Sequence, residues 1–385
     1  MLLMSSKQKL FIVTTVPITL KSILNGQPKQ LSEMYDIALV SSPDVELSEV
    51  EIDEKVDVYT VPMERDISPL KDLVSLFNMT KLLLTQKPDL IHSYTPKAGL
   101  ITMLAGFIAR VPVRIHTFTG LIFPTSKGLT KIILIWVDRL ICAAATTVVP
   151  EGNGVKCDLI NNSITSKPIK VIGHGNISGV DTLHFSKSRV MIEGDDLRKG
   201  YMIPEEAFTF CFVGRFTQDK GFNELLGAFK QLPDSAYLIL AGKEDTRLPL
   251  PGGIAKEIVE HPRIVNIGWV NDVRPILSAS NVLVLPSYRE GFPNTPLQAG
   301  SMCLPSIVSN ISGCNEIVTD GYNGWIVEPQ STDSLLNAMR KSMVCENIDE
   351  LSQNARENIK NKFERKYYFE ELKEFYKQQL LRVNK

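Results

Sequence analysis

One unit recurs along the chain: a short, unbroken apolar run, then a stretch with helical spacing. The runs fall at 10–16, 36–41, 56–61, 89–92, 113–117, 145–149 and 169–172. They resume at 209–213, 237–241, 264–267, 282–285, 305–308 and 324–327. Most are continuous rather than alternating, the pattern of parallel strands covered on both faces. Segments between them, such as 69–86, 97–110, 222–232 and 295–302, fit right-handed crossover helices. The pattern predicts an α/β chain with two Rossmann-like, doubly wound halves. A length of 385 residues also favours two domains over one core. The seam falls in "GHGNISGVDTLHF" (173–185), rich in Gly, Asn and Ser and without helical period. Domains are therefore expected at 1–180 and 181–362. A terminal amphipathic helix at 363–385, with aromatics at 363, 367, 368 and 375, should pack back toward the first domain.

Bulk composition narrows the function classes. The net charge of -1 gives no global argument for nucleic acid. The six cysteines are scattered without a CxxC, so reduced, buried thiols are expected rather than disulfides or a zinc site. The most apolar stretch, 131–149, carries Asp138 and Arg139, which argues against a spanning helix. Residues 9–20 lack a small-residue cleavage site and read as a first buried strand, so a cytoplasmic chain is expected. Charge is segregated: residues 31–66 hold 11 Asp/Glu against two Lys/Arg, and 67–170 hold 12 Lys/Arg against five Asp/Glu. Two readings fit: solvated faces, or a basic side that meets an anionic surface such as lipid headgroups.

Chemistry concentrates in the second half. In "FVGRFTQDKGFNELLGAF" (212–229) a strand hands over to a helix across Gly214, Arg215, Asp219, Lys220 and Gly221. Such a junction offers backbone N–H groups and a positive dipole end. The glycines permit close backbone approach, and the two cations suit phosphate oxygens. Neither GxGxxG nor GKS/T is present. Read alone, the segment fits a diphosphate site or a plain βα turn with surface cations. In "LPSYREGFPNTPLQAGSMCLPSIVSN" (285–310) a strand ends at Leu285, Glu290 lies on the loop, and Gln298 lies in a helix starting near Thr295. Both could face one ligand across the strand ends. In 309–329 a third turn, Ser312 to Glu316, opens a short helix whose N–H groups are expected to be available to an anion. His116 read alone fits a satisfied core histidine.

These segments, in this order, resemble the retaining glycosyltransferases of family 4, which have the GT-B fold. The resemblance is strongest over 205–330 and weaker before it. It implies a first domain that binds acceptor and a second that binds nucleotide-sugar, facing a central cleft. Arg215 and Lys220 match the pair that holds the donor diphosphate. Glu290 matches the first Glu of a Glu-x7-Glu motif, beside the donor sugar; Gln298 stands where the second, ribose-binding Glu is usual. The backbone of Gly291, Phe292, Pro293, Asn294 and Thr295 would face sugar and phosphates, with Gly214 at the turn. Val270, in "IGWVNDV" (267–273), belongs to the matching nucleobase loop. His116, in "HSYTPKAGLITMLAGFIARVPVRIHTFTG" (92–120), matches a His beside the donor sugar. Residues 14–27 correspond to a loop lining the acceptor side, without its usual glycines. His92 and His174 are expected to be structural, His184 and His261 to lie at the surface.

The overall look is close to bacterial capsule, exopolysaccharide and O-antigen glycosyltransferases. This implies transfer of a hexose or N-acetylhexosamine from a UDP-sugar to an undecaprenyl diphosphate-linked glycan, with retention, by a protein peripheral at the inner face of the membrane. The basic block and the apolar helices around 98–109 and 129–144 fit such an acceptor. No Asp-x-Asp stands near the strand ends, so neither a metal nor another cofactor is expected. The rival readings are a sugar-nucleotide epimerase of the same fold and a two-lobed binding protein.

Overall fold

The computed structural model describes residues 7–66, 68–245, 248–250 and 252–383. The chain divides into two compact units, residues 1–179 with 366–385, and 180–365.

The first unit is built on six parallel strands: β1 Lys9–Val13, β2 Asp36–Ser41, β3 Asp57–Thr60, β4 Leu90–Ser93, β5 Val113–Phe118 and β6 Thr147–Pro150. Their order is β3-β2-β1-β4-β5-β6. The second unit repeats the plan with β7 Phe208–Val213, β8 Ala236–Ala241, β9 Ile264–Gly268, β10 Val282–Leu285, β11 Ser306–Ser309 and β12 Gly324–Val327. There the order is β12-β11-β10-β7-β8-β9. Each sheet reverses its winding once, between β1 and β4 and between β7 and β10. At such a point neighbouring crossover helices leave in opposite directions and the strand ends open a crevice.

The strands read from the sequence pair as parallel strands, with one exception. Residues 169–172 join no sheet. Their apolarity has another cause: Ile172 is buried in the core beneath the terminal helix Arg365–Val383, with Tyr368, Phe369, Leu372 and Tyr376. That helix also corrects the expected aromatic stripe. Its buried face runs through 368, 372, 376 and 380, while Tyr367 is exposed. Phe363 precedes the helix and packs in the second unit. Residues 14–27, expected as a loop, contain the helix Pro17–Ser22, with Pro17 at its first turn. The six cysteines are free, but only Cys142, Cys211 and Cys314 are buried, and Cys157 is exposed.

The first unit buries polar groups in matched sets. His92 bonds the Tyr376 hydroxyl through Nδ1 at 2.6 Å and the Thr117 hydroxyl through Nε2 at 2.7 Å. Both rings are completely buried. Tyr376→Phe should leave Nδ1 unpartnered and cost about 1–2 kcal/mol, whereas Tyr376→Ala adds a cavity and should cost about 3–5 kcal/mol; denaturant midpoints measure both.

Asp138, on the helix Gly128–Ala144, is pushed up to about 7 by burial. The folded chain therefore keeps this proton while the unfolded chain has lost it. The stabilisation is complete below the unfolded value of 3.8 and is lost as pH rises toward 7. Asp138→Asn should gain stability over the native protein by about 1 kcal/mol per pH unit across that window, read from melting temperatures between the two limits.

Candidate active site

The reversal between β7 and β10 brings two loops together. The first follows β7 and carries Gly214, Arg215, Asp219, Lys220 and Gly221; the second follows β10 and carries Ser287, Tyr288, Arg289 and Glu290. Gly221 explains how closely they meet. Its φ is +74°, and a Cβ there would lie 2.2 Å from the Pro286 carbonyl oxygen. Only glycine satisfies both the left-handed backbone and the contact.

Side chains then tie the loops residue by residue. Lys220 Nζ donates to Glu290 Oε1 at 2.5 Å, and the Ser287 hydroxyl donates to the same oxygen at 2.7 Å. Lys220 and Glu290 side chains are only 14% and 12% exposed, so this charge pair is shielded from water. Arg289 bonds Asp219 at 3.0 Å, and the Tyr288 backbone N–H donates to the Asp219 carbonyl at 2.8 Å. Tyr288 also donates its hydroxyl to Glu224 at 2.6 Å. Burial pushes the Asp219 carboxyl up, but the Thr217 hydroxyl and the Arg289 guanidinium outweigh it and hold it below the usual range. Tyr288 is raised by burial and by its bond to Glu224. Three consecutive residues of one loop therefore grip the other, and the gripped segment presents Lys220.

Arg215 takes a different partner. Its guanidinium pairs with Asp245 at 2.7 Å and stays 59% exposed. Arg215 and Gly214 line a cavity of about 220 Å³ with Val213, Lys243, Trp269 and Val270. The expected phosphate cation and the expected nucleobase loop thus share one cavity wall. Gln298 is half-buried within the helix Asn294–Ser301. Among the described residues no side chain caps that helix start; Thr295 donates its hydroxyl to the Val213 carbonyl at 3.3 Å. Gly291 and Asn294 are half-buried and Pro293 is buried. The Phe292 ring is core, packed 5.5 Å from Phe363.

One expected anion site is corrected. The turn at 312–316 does lead into a helix, Cys314–Ile317, but the Gly313 N–H donates to the Glu316 carboxylate at 3.3 Å. An acid three residues on has taken the position an anion would occupy.

In the first unit, His116 ends up buried on β5. Its Nδ1 meets the Ser93 hydroxyl at 2.9 Å, its ring lies edge-on to Phe118, and it fills the space against Gly99. Burial pulls it down to about 3, so it is neutral near pH 7 and suited to hydrogen bonding rather than to taking a proton. His184 is exposed and His261 half-buried; His174 is exposed and stacks on Tyr367. Sequence reasoning missed Ser287, Tyr288, Arg289, Asp219 as an anchor, Glu224, Asp245 and Trp269. For all but Asp245, whose partner Arg215 is 30 residues away, the signal lay in nearness to residues already singled out.

The family model described as glycosyl transferases group 1 matches residues 194–362, and that of a glycosyl transferase 4-like domain matches 30–175. The chain is 30% identical to the capsular polysaccharide biosynthesis glycosyltransferase CapM of Staphylococcus aureus, over 96% of this chain and 97% of that protein. It is 30% identical to an Escherichia coli UDP-Gal:alpha-D-GlcNAc-diphosphoundecaprenol alpha-1,3-galactosyltransferase, over 90% and 89%. Anabaena HepE, solved with UDP and glucose, superposes with a TM-score of 0.82 at 18% identity, over 96% of this chain and 100% of that one. WaaG, a glycosyltransferase of lipopolysaccharide biosynthesis, superposes at 0.71 and 12% identity, over 95% and 99%.

The shielded pair gives a test independent of any ligand. Lys220→Met should cost about 3 kcal/mol, because it strands a carboxylate with little access to water. Adding Glu290→Gln should recover part of that loss, and a double-mutant cycle in denaturant should return a coupling of about 1–3 kcal/mol.

Proposed function

This chain belongs to the group 1 glycosyltransferases, enzymes of GT-B fold, and from that premise we propose that its second unit holds a UDP-sugar by the diphosphate. The observation that carries the reading is the Lys220–Glu290 pair at the β7/β10 reversal. An ammonium and a carboxylate are held there, ready for a ligand that offers phosphate to one and hydroxyls to the other.

Cleavage of the anomeric C–O bond builds negative charge on the leaving diphosphate and positive charge on the sugar ring. Lys220, Arg215 and the start of the helix Asn294–Ser301 supply fixed positive potential for the first. Donors of this kind are worth about 3–4 kcal/mol each when preorganised. Glu290 orients the sugar hydroxyls, and Gln298 offers an amide to the ribose. Trp269 and Val270 border the base, a placement supported by the cavity they share with Arg215. The cationic side chains do the work of a metal, and no cofactor is needed. The departing phosphate oxygen helps remove the acceptor proton on the same face, with retention of configuration.

The acceptor is a glycan carried on undecaprenyl diphosphate, the sugar moved is a hexose or N-acetylhexosamine, and the product enters a surface polysaccharide. This is supported by the relatives named for capsule synthesis and for transfer to a diphosphoundecaprenol-linked sugar. Such an enzyme works at the inner face of the membrane. No helix among the described residues is long and apolar enough to cross one.

Thermal shift tests the donor reading. UDP at about a hundred times its Kd should stabilise the fold by about 2.7 kcal/mol, and Lys220→Ala should remove most of that shift. The same variant should lose about a hundredfold in turnover with a UDP-sugar and a lipid-linked acceptor. No shift with any nucleoside diphosphate, or epimerised donor formed without acceptor, would overturn the proposal.

A further inference from the structure

The connections from β3 to β4, β4 to β5 and β5 to β6 all advance the same way along the first sheet. Right-handed crossovers therefore place their helices on one face. Helices Pro69–Gln86, Pro96–Ile108 and Gly128–Ala144 stand side by side, the middle one packed by both neighbours. Their inner faces bury Met79, Leu83, Ile101, Met103 and Ile141 over Phe11 and Val13 of β1.

The outer faces of such a layer are expected to be polar. Here they are not. Leu70, Leu73, Val74 and Phe77 are exposed at helical spacing on the first helix, Phe77 by 69%. Leu129, Ile132, Ile133, Trp136 and Leu140 form the same stripe on the third, Trp136 by 64%. The middle helix adds Phe107 and Ile108 at its end. An apolar area of this extent marks an interaction surface.

Charge identifies the occupant. The three helices carry two carboxylates, Asp72 and Asp138, and Glu64, Asp66 and Asp89 lie beside them, Glu64 paired with Lys71. Asp72 is held by Lys97 at 2.6 Å, and Asp138 is buried. Lys81, Lys87, Arg110 and Lys127 are exposed on or beside the helices, and Lys131 and Arg139 are half-buried. The Arg139 guanidinium lies 5.5 Å from the Trp136 ring centre, a cation beside an amphipathic aromatic. Apolar stripes flanked by more cations than carboxylates would repel a second copy of themselves. They suit a layer with negative headgroups above hydrocarbon.

We propose that this outer helical face lies on an anionic lipid bilayer, with the stripes at the headgroup–acyl boundary and the cations among the phosphates. The inference deepens the acceptor reading above and rests on it in placing the acceptor at that surface.

Cosedimentation of the full chain with vesicles decides it. The vesicles are phosphatidylcholine alone, or phosphatidylcholine with a quarter phosphatidylglycerol. The native protein should pellet with the anionic vesicles about tenfold more strongly than with neutral ones, and less at high salt. Phe77→Glu with Trp136→Glu, both at exposed positions, should keep the native melting temperature and UDP shift but bind about tenfold less. Native protein left in the supernatant, or a variant that pellets equally, overturns the proposal. A native dimer that the substitutions dissolve overturns it too, by assigning the face to a second copy. Vesicle binding without any UDP shift would sink the donor reading and leave this one standing; a UDP shift without vesicle binding would do the reverse.

Discussion

An ammonium and a carboxylate 2.5 Å apart, both largely withdrawn from water, anchor the second unit's working end. Neither charge is tolerable there without the other, because each would face its desolvation cost alone. The pair therefore constrains its surroundings. The β7 loop must press against the β10 loop, which is why a glycine stands at 221 beneath the Pro286 carbonyl. Asp219 and Arg289, with Glu224 and Tyr288, hold that approach from either side. The lysine is thereby held in one orientation, so a ligand bound there as proposed would leave little ordering entropy to be lost.

The first unit meets its constraint differently. Its reversal between β1 and β4 carries hydroxyls rather than ions: the Thr15 N–H donates to Thr95 Oγ1 at 3.0 Å, and the Ala98 N–H to Thr15 Oγ1 at 3.2 Å. Neutral His92 and His116 lie just beneath, on β4 and β5. Two halves with the same strand order thus have unlike chemistry at corresponding places. Fold alone does not assign function; the side chains at the strand ends do.

Much of this was legible. Continuous apolar runs announce buried parallel strands because both faces are covered, and Leu285 marks the end of β10 as read. The run at 169–172 misled because apolarity reports burial, not pairing, and the terminal helix provides the burial. That Lys220 and Glu290 both follow strand ends could be read; that they bond each other could not. A cross-link between segments 70 residues apart leaves no periodic trace. The bond from Gly313 to Glu316 was readable in principle, since an acid three residues after a helix start is a known cap. The apolar outer stripes of the first unit were also present in the sequence, but helical period alone does not say which side faces the sheet.

The terminal helix has a consequence for synthesis. Tyr368, Phe369, Leu372, Tyr376 and Leu380 complete a core whose other buried residues lie between 10 and 177. During translation the early strands must wait, with one face of their sheet covered only in part by the helices Pro17–Ser22, Gln27–Leu31 and Val45–Glu54, while nearly two hundred residues pass through the ribosome. The intervening unit has all its own strands in hand before that helix emerges. The later-made half is thus able to complete its core first, and the earlier-made half keeps apolar surface open until that helix arrives.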